Sequence, residues 1–120
     1  MYLYTEINIS VNKASLYKGC LEPILLKLLK ENGRMYGYEI TQRVKELTAG
    51  ELKITEGALY PLLHRLEAEG ILEVEMENLG NRVRKYYSLT PTGKKEQAKA
   101  MIELEAFKNT LQLIFNPKLA

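Results

Sequence analysis

The sequence predicts a mainly α-helical fold with one β-hairpin, and three observations carry this prediction. Apolar residues recur at helical spacing in three successive stretches between residues 15 and 69. The period then shortens to two over residues 72–89, where two alternating runs flank an Asn-Leu-Gly-Asn turn. A fourth helical stretch begins at Pro91. Three short helices followed at once by a hairpin form a winged helix-turn-helix, here extended by a C-terminal helix.

The first predicted helix spans residues 15–32 and is closed by Gly33, a residue type common after helix C-termini. Pro23 either kinks its first turns or marks its true start, because proline cannot donate a backbone hydrogen bond. Cys20 is the only cysteine, which excludes an intrachain disulfide and favours a reducing cytoplasm, and we expect a small core residue there. The predicted apolar stripe consists of Leu21, Ile24, Leu25, Leu28 and Leu29.

Two more helices are predicted over residues 37–48 and 55–69. Thr55 suits the N-cap of the latter, because its hydroxyl can accept a hydrogen bond from a free backbone N–H. Ala49-Gly50 and Gly70 end the two helices. The predicted buried stripes are Tyr36, Ile40, Val44 and Leu47 in the second helix, and Leu59, Leu62, Leu63 and Leu66 in the third.

The hairpin is predicted from strands at residues 72–77 and 83–89. Leu72, Val74 and Met76 alternate with acidic residues, so they should form the half-buried face of the first strand. The second strand has one face with Val83, Lys85, Tyr87 and Leu89, and another with Arg84, Tyr86 and Ser88. A cross-strand pair between Glu75 and Arg84 is one possible arrangement of the charges.

Three regions follow from these elements: an N-terminal arm (residues 1–14), a winged helix-turn-helix (15–90) and a C-terminal helix (91–116). The arm could be a strand, a contact with a partner or an extended tail, and the sequence does not choose among them. The last helix carries an apolar seam with heptad-like steps, which predicts a homodimer. The seam consists of Ala100, Leu104, Phe107, Leu111 and Ile114. The alternative is a helix that packs only on its own domain.

Charge is distributed unevenly although the net charge is only +2. Five acidic residues and no basic ones lie between Glu67 and Glu77, and five basic residues and no acidic ones lie between Asn78 and Lys95. A local positive lobe on a near-neutral domain suits a modest contact with DNA. The plainer interpretation is that these are solvated faces that pair with one another.

The third helix must also present an outward face, which consists of Glu56, Gly57, Tyr60, Pro61, His64 and Arg65. Gly57 would let a phosphate or a base edge come close, and Tyr60 and His64 can donate hydrogen bonds. Near the hairpin tip, the contacts expected along a phosphate backbone or minor groove are Arg82, Arg84 and Lys85. An ordinary solvated face is the competing interpretation of the helix.

Other function classes find little support in the sequence. With one histidine, no Gly-rich phosphate loop after a strand and no cluster of metal-ligating residues, we expect no enzyme, no metal site and no cofactor. No apolar run approaches the roughly 18 residues of a membrane span. Residues 1–10 lack the pattern of a signal peptide, so we expect a cytoplasmic location.

Three segments closely resemble the PadR family of bacterial transcriptional regulators: YGYEI (36–40), GALYPLLHRLEAEGIL (57–72) and RKYYSLTPTGK (84–94). The resemblance covers about residues 16–95 and continues into one C-terminal helix, as in the small subclass of that family. It implies a homodimeric, usually repressive regulator that reads an inverted-repeat operator. Helix 55–69 would lie in the major groove, and the wing, residues 72–89, on the backbone or minor groove. Pro23 departs from the uninterrupted first helix that is usual in the family.

The family's DNA-facing positions map onto Tyr36, Thr55, Gly57, Tyr60, Pro61, His64, Arg65 and the wing residues Arg82, Arg84 and Lys85. Members often respond to small aromatic or drug-like molecules. The resemblance therefore implies double-stranded DNA, a second copy and a small-molecule effector of unspecified identity as partners. The chain lacks the tryptophan that often forms a platform for such molecules, so we assign no ligand. The rival to DNA binding is a winged-helix module that binds protein.

Overall fold

Helices and strands follow one another in the predicted order, with one short strand added. The computed structural model describes residues 15–116 and 118, so the predicted arm at residues 1–14 lies outside the described residues. The elements are α1 (Leu21–Asn32), β1 (Arg34–Met35), α2 (Gly37–Leu47), α3 (Glu56–Ala68), β2 (Leu72–Asn78), β3 (Val83–Leu89) and α4 (Pro91–Phe115). The prediction of a mainly α fold with a hairpin wing and a C-terminal helix is confirmed.

The first predicted helix is interrupted before its apolar part. A 3₁₀ turn at Lys18–Cys20 precedes α1, and Pro23 is the third residue of α1. The first four N–H groups of a helix have no intrahelical partner, so proline costs nothing there and marks the true start. Gly33 ends α1 with a φ of 83°, and its N–H bonds to the Leu29 carbonyl. Cys20 is only partly buried, so the prediction of a core residue holds only in part.

The sheet has three antiparallel strands in the order β1-β3-β2, and the sequence predicted only the hairpin. The turn is closed by a hydrogen bond from Leu79 N–H to the Arg82 carbonyl (2.9 Å). This closure pairs Asn78 with Val83 and sets Glu75 opposite Tyr86. The predicted cross-strand pair between Glu75 and Arg84 is therefore wrong, because it needs a register that this turn does not allow.

One core lies between the helices and the inner face of the sheet. Its most deeply buried large side chains are Leu25, Leu26, Leu29, Ile40, Leu59, Leu63, Leu66 and Tyr87. Two predicted core positions are exposed: Leu47 at the end of α2, and Met76, which is 62% exposed. Four others are only partly buried: Leu21, Ile24, Tyr36 and Leu62. Met76 lies beyond the core because the hairpin extends past the helices. The alternation of apolar and polar residues continues along the strand there, but no helix covers the apolar side chain.

The start of α4 is tied closely to the loop between α3 and β2. Thr90 caps α4 by accepting a hydrogen bond from Gly93 N–H (2.9 Å), and its own N–H bonds to the Ile71 carbonyl (3.1 Å). A Cβ on Gly93 would overlap that carbonyl oxygen. The first half of α4 packs on α1, whereas every residue from 105 to 116 is exposed. The chain's own domain therefore does not cover the second half of α4, and a dimer contact there stays a prediction.

Candidate nucleic-acid interface

The outward face of α3 is exposed as predicted. The hydroxyl of Thr55 accepts a hydrogen bond from Ala58 N–H (3.2 Å), and the helix then continues through Pro61 without a break. Leu59, Leu63 and Leu66 face the core. The six residues of the outward face, Glu56, Gly57, Tyr60, Pro61, His64 and Arg65, are all exposed. At Gly57 an added Cβ would have open space, with nothing closer than the Thr55 hydroxyl at 4.0 Å.

Tyr60 leans from α3 onto the N-terminus of α2. A Cβ on Gly37 would collide with the Tyr60 hydroxyl and lie 2.9 Å from its Cζ, so the Tyr60 ring would have to shift if residue 37 carried a side chain. The ring of His64 lies 6.4 Å from that of Tyr60, centroid to centroid. The two helices of the helix-turn-helix are therefore in contact through the same tyrosine that the sequence predicted to face DNA.

A recess separates α3 and the start of α2 from the wing. It is lined by Tyr36, Gly37, Tyr38, Tyr60, Arg82, Val83, Arg84, Lys85 and Tyr87. Five of the predicted DNA-binding residues meet here although they come from three parts of the chain: Tyr36, Tyr60, Arg82, Arg84 and Lys85. The wing side of the recess is basic and the helix side is aromatic, which is a combination that suits a nucleic-acid backbone.

The basic wing residues differ in how they are held. The Arg84 guanidinium lies 4.0 Å from the centroid of the Tyr36 ring, and it donates a long hydrogen bond to the Tyr86 hydroxyl (3.4 Å). That hydrogen bond is the main cause that raises the pKa of Arg84 above its ordinary value. Arg82 and Lys85 are exposed. The wing therefore offers one cation that is fixed on an aromatic ring and two that extend into solvent.

Arg34 is a residue at this site that the sequence interpretation missed. Its guanidinium donates hydrogen bonds to Glu75 Oε1 (2.8 Å) and Glu77 Oε2 (2.9 Å) and lies 4.0 Å from the centroid of Tyr86. Desolvation lowers the pKa of Arg34, but the two carboxylates raise it by more. The sequence signal was the pair of acids Glu75 and Glu77, two residues apart on one strand face, which favours a cation on the same face of the sheet.

Arg65 and Thr55 lie on the other flank of α3, away from the recess. Arg65 forms an ion pair with Glu22 of α1 and another with Glu69 (3.1 Å), and the Glu22 hydrogen bond is the main cause that raises the pKa of Arg65. Both residues border an apolar groove between α1, α3 and α4, which Phe107 also lines. The structure thus does not bring Arg65 together with Tyr60 and the wing cations.

The predicted seam of α4 divides into two parts. Ala100 and Leu104 are partly buried against the chain's own domain. Phe107, Leu111 and Ile114 are 53%, 36% and 64% exposed. These three form a stripe of bare apolar surface on a helix that projects from the domain.

Residues 15–116 and 118 contain no group of three or more His, Cys, Asp or Glu side chains placed to hold a metal ion. Among the same residues, no helix combines the length and the apolar character that crossing a membrane requires.

Comparisons with known proteins agree on one family. The model of the transcriptional regulator PadR-like family matches residues 25–99. An uncharacterized protein of Lysinibacillus sphaericus is 31% identical over 102 residues, which is 84% of this chain and 93% of that protein. The transcriptional regulator Rv3488 of Mycobacterium tuberculosis is 37% identical over 76 residues, which is 61% of this chain and 68% of that protein.

Solved structures show the same relationship. A transcriptional regulator from Clostridium thermocellum superposes with a TM-score of 0.76 at 31% identity, covering 82% of this chain and 95% of that one. Bacillus subtilis PadR in complex with operator DNA superposes with a TM-score of 0.62 at 30% identity, covering 69% of this chain and 46% of that one. This chain, with its exposed α3, its basic wing and its projecting α4, belongs to the PadR-like family of transcriptional regulators.

Proposed function

We propose that this protein is a homodimeric DNA-binding repressor that reads an inverted-repeat operator. The observation that carries the proposal is the recess beside α3, where Tyr36, Tyr60, Arg82, Arg84 and Lys85 come together from distant parts of the chain. A surface with hydrogen-bond donors on one side and cations on the other fits a DNA backbone better than an apolar protein partner. The operator-bound structure of Bacillus subtilis PadR supports the same interpretation.

In this proposal α3 enters the major groove with the face that carries Gly57, Pro61 and His64. Gly57 adds no side chain, so the start of α3 can approach a phosphate or a base edge closely. Tyr60 and His64 then supply donors for base edges or phosphates. The Tyr60 hydroxyl lies close to Gly37, so the ring is at the junction of α2 and α3.

The wing contributes phosphate contacts in this proposal. Arg82 and Lys85 are exposed and extend from the strand and turn, so they are the main candidates. Arg84 is held on Tyr36, so it keeps its charge near the backbone with little freedom to move. Arg65 and Thr55 are secondary contacts, because Arg65 would have to exchange Glu22 for a phosphate and the Thr55 hydroxyl already caps α3.

The second half of α4 is the proposed dimer contact. Phe107, Leu111 and Ile114 are exposed in one stripe, and burial of such a stripe against a second copy is a strong driving force for association. Two copies related by a two-fold axis present two α3 helices, as an inverted repeat requires. Leu111→Glu should therefore lower self-association in sedimentation experiments, whereas Asn109→Glu, on the opposite face of α4, should not. Equal effects of both changes, or a wild-type protein that is monomeric, would contradict the proposed dimer contact.

The DNA interface is tested by binding to DNA from the protein's own upstream region at several salt concentrations. His64→Ala should cost about 1–3 kcal/mol on the specific site and little on unrelated DNA, if His64 contacts a base. Arg82→Ala and Lys85→Ala should weaken binding to all sequences alike, and each should lower the salt slope by about one. Lys30→Ala, which removes the same charge from the exposed face of α1, is the control.

Three results would contradict the proposal. Binding without salt dependence would exclude a phosphate interface. If a variant that lacks Arg82 and Lys85 binds DNA as well as wild type, the wing is not part of the DNA interface. No binding to any DNA, together with capture of a protein through the recess, would favour the winged-helix protein-binding module. The proposal is a binding function without catalysis, carried out in the cytoplasm.

A further inference from the structure

The outer half of the wing extends beyond the hydrophobic core, so its position needs another explanation. On the face that continues the core, Met76 and Val83 are 62% and 60% exposed. These side chains are not covered by the helices and cannot fix the wing through burial. The other face of the wing, which carries Glu75, Glu77, Arg84 and Tyr86, makes polar and aromatic contacts with the segment that leads into α2.

Those contacts form a cluster that alternates cations and rings. Arg34 lies over Tyr86 at 4.0 Å, Tyr86 meets Tyr36 edge-on with centroids 5.5 Å apart, and Arg84 lies over Tyr36 at 4.0 Å. Arg34 also binds Glu75 and Glu77 of β2. Arg34 and Tyr36 flank Met35, which is buried in the core, so the cluster is anchored on the helical body. We call these six residues the wing clamp: Arg34, Tyr36, Glu75, Glu77, Arg84 and Tyr86.

From this geometry we propose that Arg34 is a positioning residue, which holds the wing beside α3 so that its basic residues meet DNA. The inference rests on the proposed DNA-binding function. The charge of Arg34 is already paired within the wing clamp, because both terminal nitrogens bond to carboxylates and its face covers Tyr86. It acts through the wing: the strand that carries Glu75 and Glu77 is hydrogen-bonded to the strand that carries Arg84 and Lys85.

The first test separates positioning from charge, because the two explanations predict opposite changes in DNA affinity. The double variant Glu75→Gln/Glu77→Gln releases Arg34 and makes the protein more positive by two charges. If charge alone governs binding, this variant binds DNA more tightly. If the wing clamp positions the wing, the variant binds about fivefold more weakly, since lost order outweighs the added charge.

The matched control is Glu31→Gln/Glu46→Gln. It adds the same two charges and also breaks two exposed ion pairs, with Lys27 and Arg43, but these lie within α1 and α2. It should bind DNA as tightly as wild type or more tightly. Tighter binding by both double variants would overturn the inference.

The second test is a double-mutant cycle on the wing. Arg34→Gln should weaken operator binding about tenfold in the wild-type background, while Arg43→Gln, the same change at a residue of similar exposure, should alter it less than about twofold. In a background without Arg82 and Lys85, Arg34→Gln should have almost no further effect. Full additivity would mean that Arg34 contacts DNA directly, and this would overturn the positioning role.

Arg34→Lys adds a check on geometry, because it keeps the charge but cannot present the planar fork that binds two carboxylates. The Arg34→Lys variant should bind the operator several-fold more weakly than wild type, and binding equal to wild type would overturn the proposal. Amide hydrogen exchange in the free protein should show faster exchange at residues 74–77 and 83–86 in Arg34→Gln, with α1 unchanged. Unchanged exchange in the wing would also overturn it. If wild type binds no DNA, the proposed function fails; if it binds and Arg34→Gln binds equally well, only this inference fails.

Discussion

Two helical glycines should respond in opposite ways to the same added methyl group. Gly57 is the second residue of α3 and Gly93 the third residue of α4. A Cβ on Gly57 would point into open space, whereas a Cβ on Gly93 would overlap the Ile71 carbonyl oxygen and lie 3.0 Å from its carbon. Ala replaces Gly without strain only in the first case. We therefore expect Gly57→Ala to stabilise the fold and Gly93→Ala to destabilise it.

The size of each effect follows from the contacts. At Gly57 the gain is about 0.5 kcal/mol, the lower end of the range for Gly to Ala in a helix, because the site lies in the first turn. At Gly93 the obstacle is a backbone carbonyl that cannot rotate away, and the same Ile71 oxygen accepts from Thr90 N–H at 3.1 Å. Loss of that hydrogen bond and displacement of the start of α4 should cost about 2–4 kcal/mol.

Operator binding should also differ between the two glycine variants. If α3 approaches DNA closely at Gly57, the added methyl group that stabilises the free protein should weaken operator binding about tenfold or more. Gly93 lies in the first turn of α4 and packs against Ile71 in the loop between α3 and β2, away from the recess. Gly93→Ala should therefore affect binding only through the unfolded fraction.

The assay is urea unfolding followed by far-UV circular dichroism at one fixed protein concentration, since the midpoint of the proposed dimer would depend on concentration. DNA binding is measured on the same samples. Equal unfolding midpoints for the two variants would refute the packing argument at Gly93. A Gly57→Ala protein that binds its operator like wild type would refute the close approach of α3, and it would leave the rest of the interface in place.

Two further results are expected. Tyr87→Phe should leave the free energy of unfolding unchanged or raise it by up to about 1 kcal/mol, because the buried Tyr87 hydroxyl has no hydrogen-bond partner among the described residues. Desolvation, with smaller contributions from Glu67 and Tyr60, raises the pKa of the Tyr87 hydroxyl. The contribution of this raised pKa to the free energy of unfolding is therefore complete below the unfolded pKa of about 10, and it is lost as the pH rises further. Unfolding at pH 8 and pH 11 should show a smaller alkaline loss in Tyr87→Phe. Arg65→Gln should cost less than about 1 kcal/mol of stability, since its ion pairs are exposed, and should lower the salt slope of DNA binding by about one; an unchanged slope would remove Arg65 from the interface.

Most helices and the wing could be predicted because their signals are local. The helical period, the cap at Thr55, the Thr90-Pro91 start of α4 and the glycine after α1 each depend on residues within about one helical turn. The same holds for the outward face of α3, because periodicity alone assigns it once the buried stripe is known.

Other features depended on residues that are distant in sequence. Strand β1 has two residues, too few for an alternating pattern, and forms only because Met35 pairs with Tyr87 across the sheet. Leu47 and Met76 fit the apolar pattern yet lie where no neighbouring element covers them. Burial is a property of two surfaces that meet, so a pattern on one element cannot report it alone.

The sequence by itself determined the order of elements, the family and the set of residues that could face DNA. Only the tertiary structure decided how that set divides, with Tyr60, Tyr36 and the wing cations around one recess and Arg65 on the opposite flank of α3 with Glu22. It also revealed Arg34, whose partners lie 41 and 43 residues away in the chain. The physical reason is that a charge chooses its partner by distance in space, and the packing of α3 and the register of the hairpin set that distance.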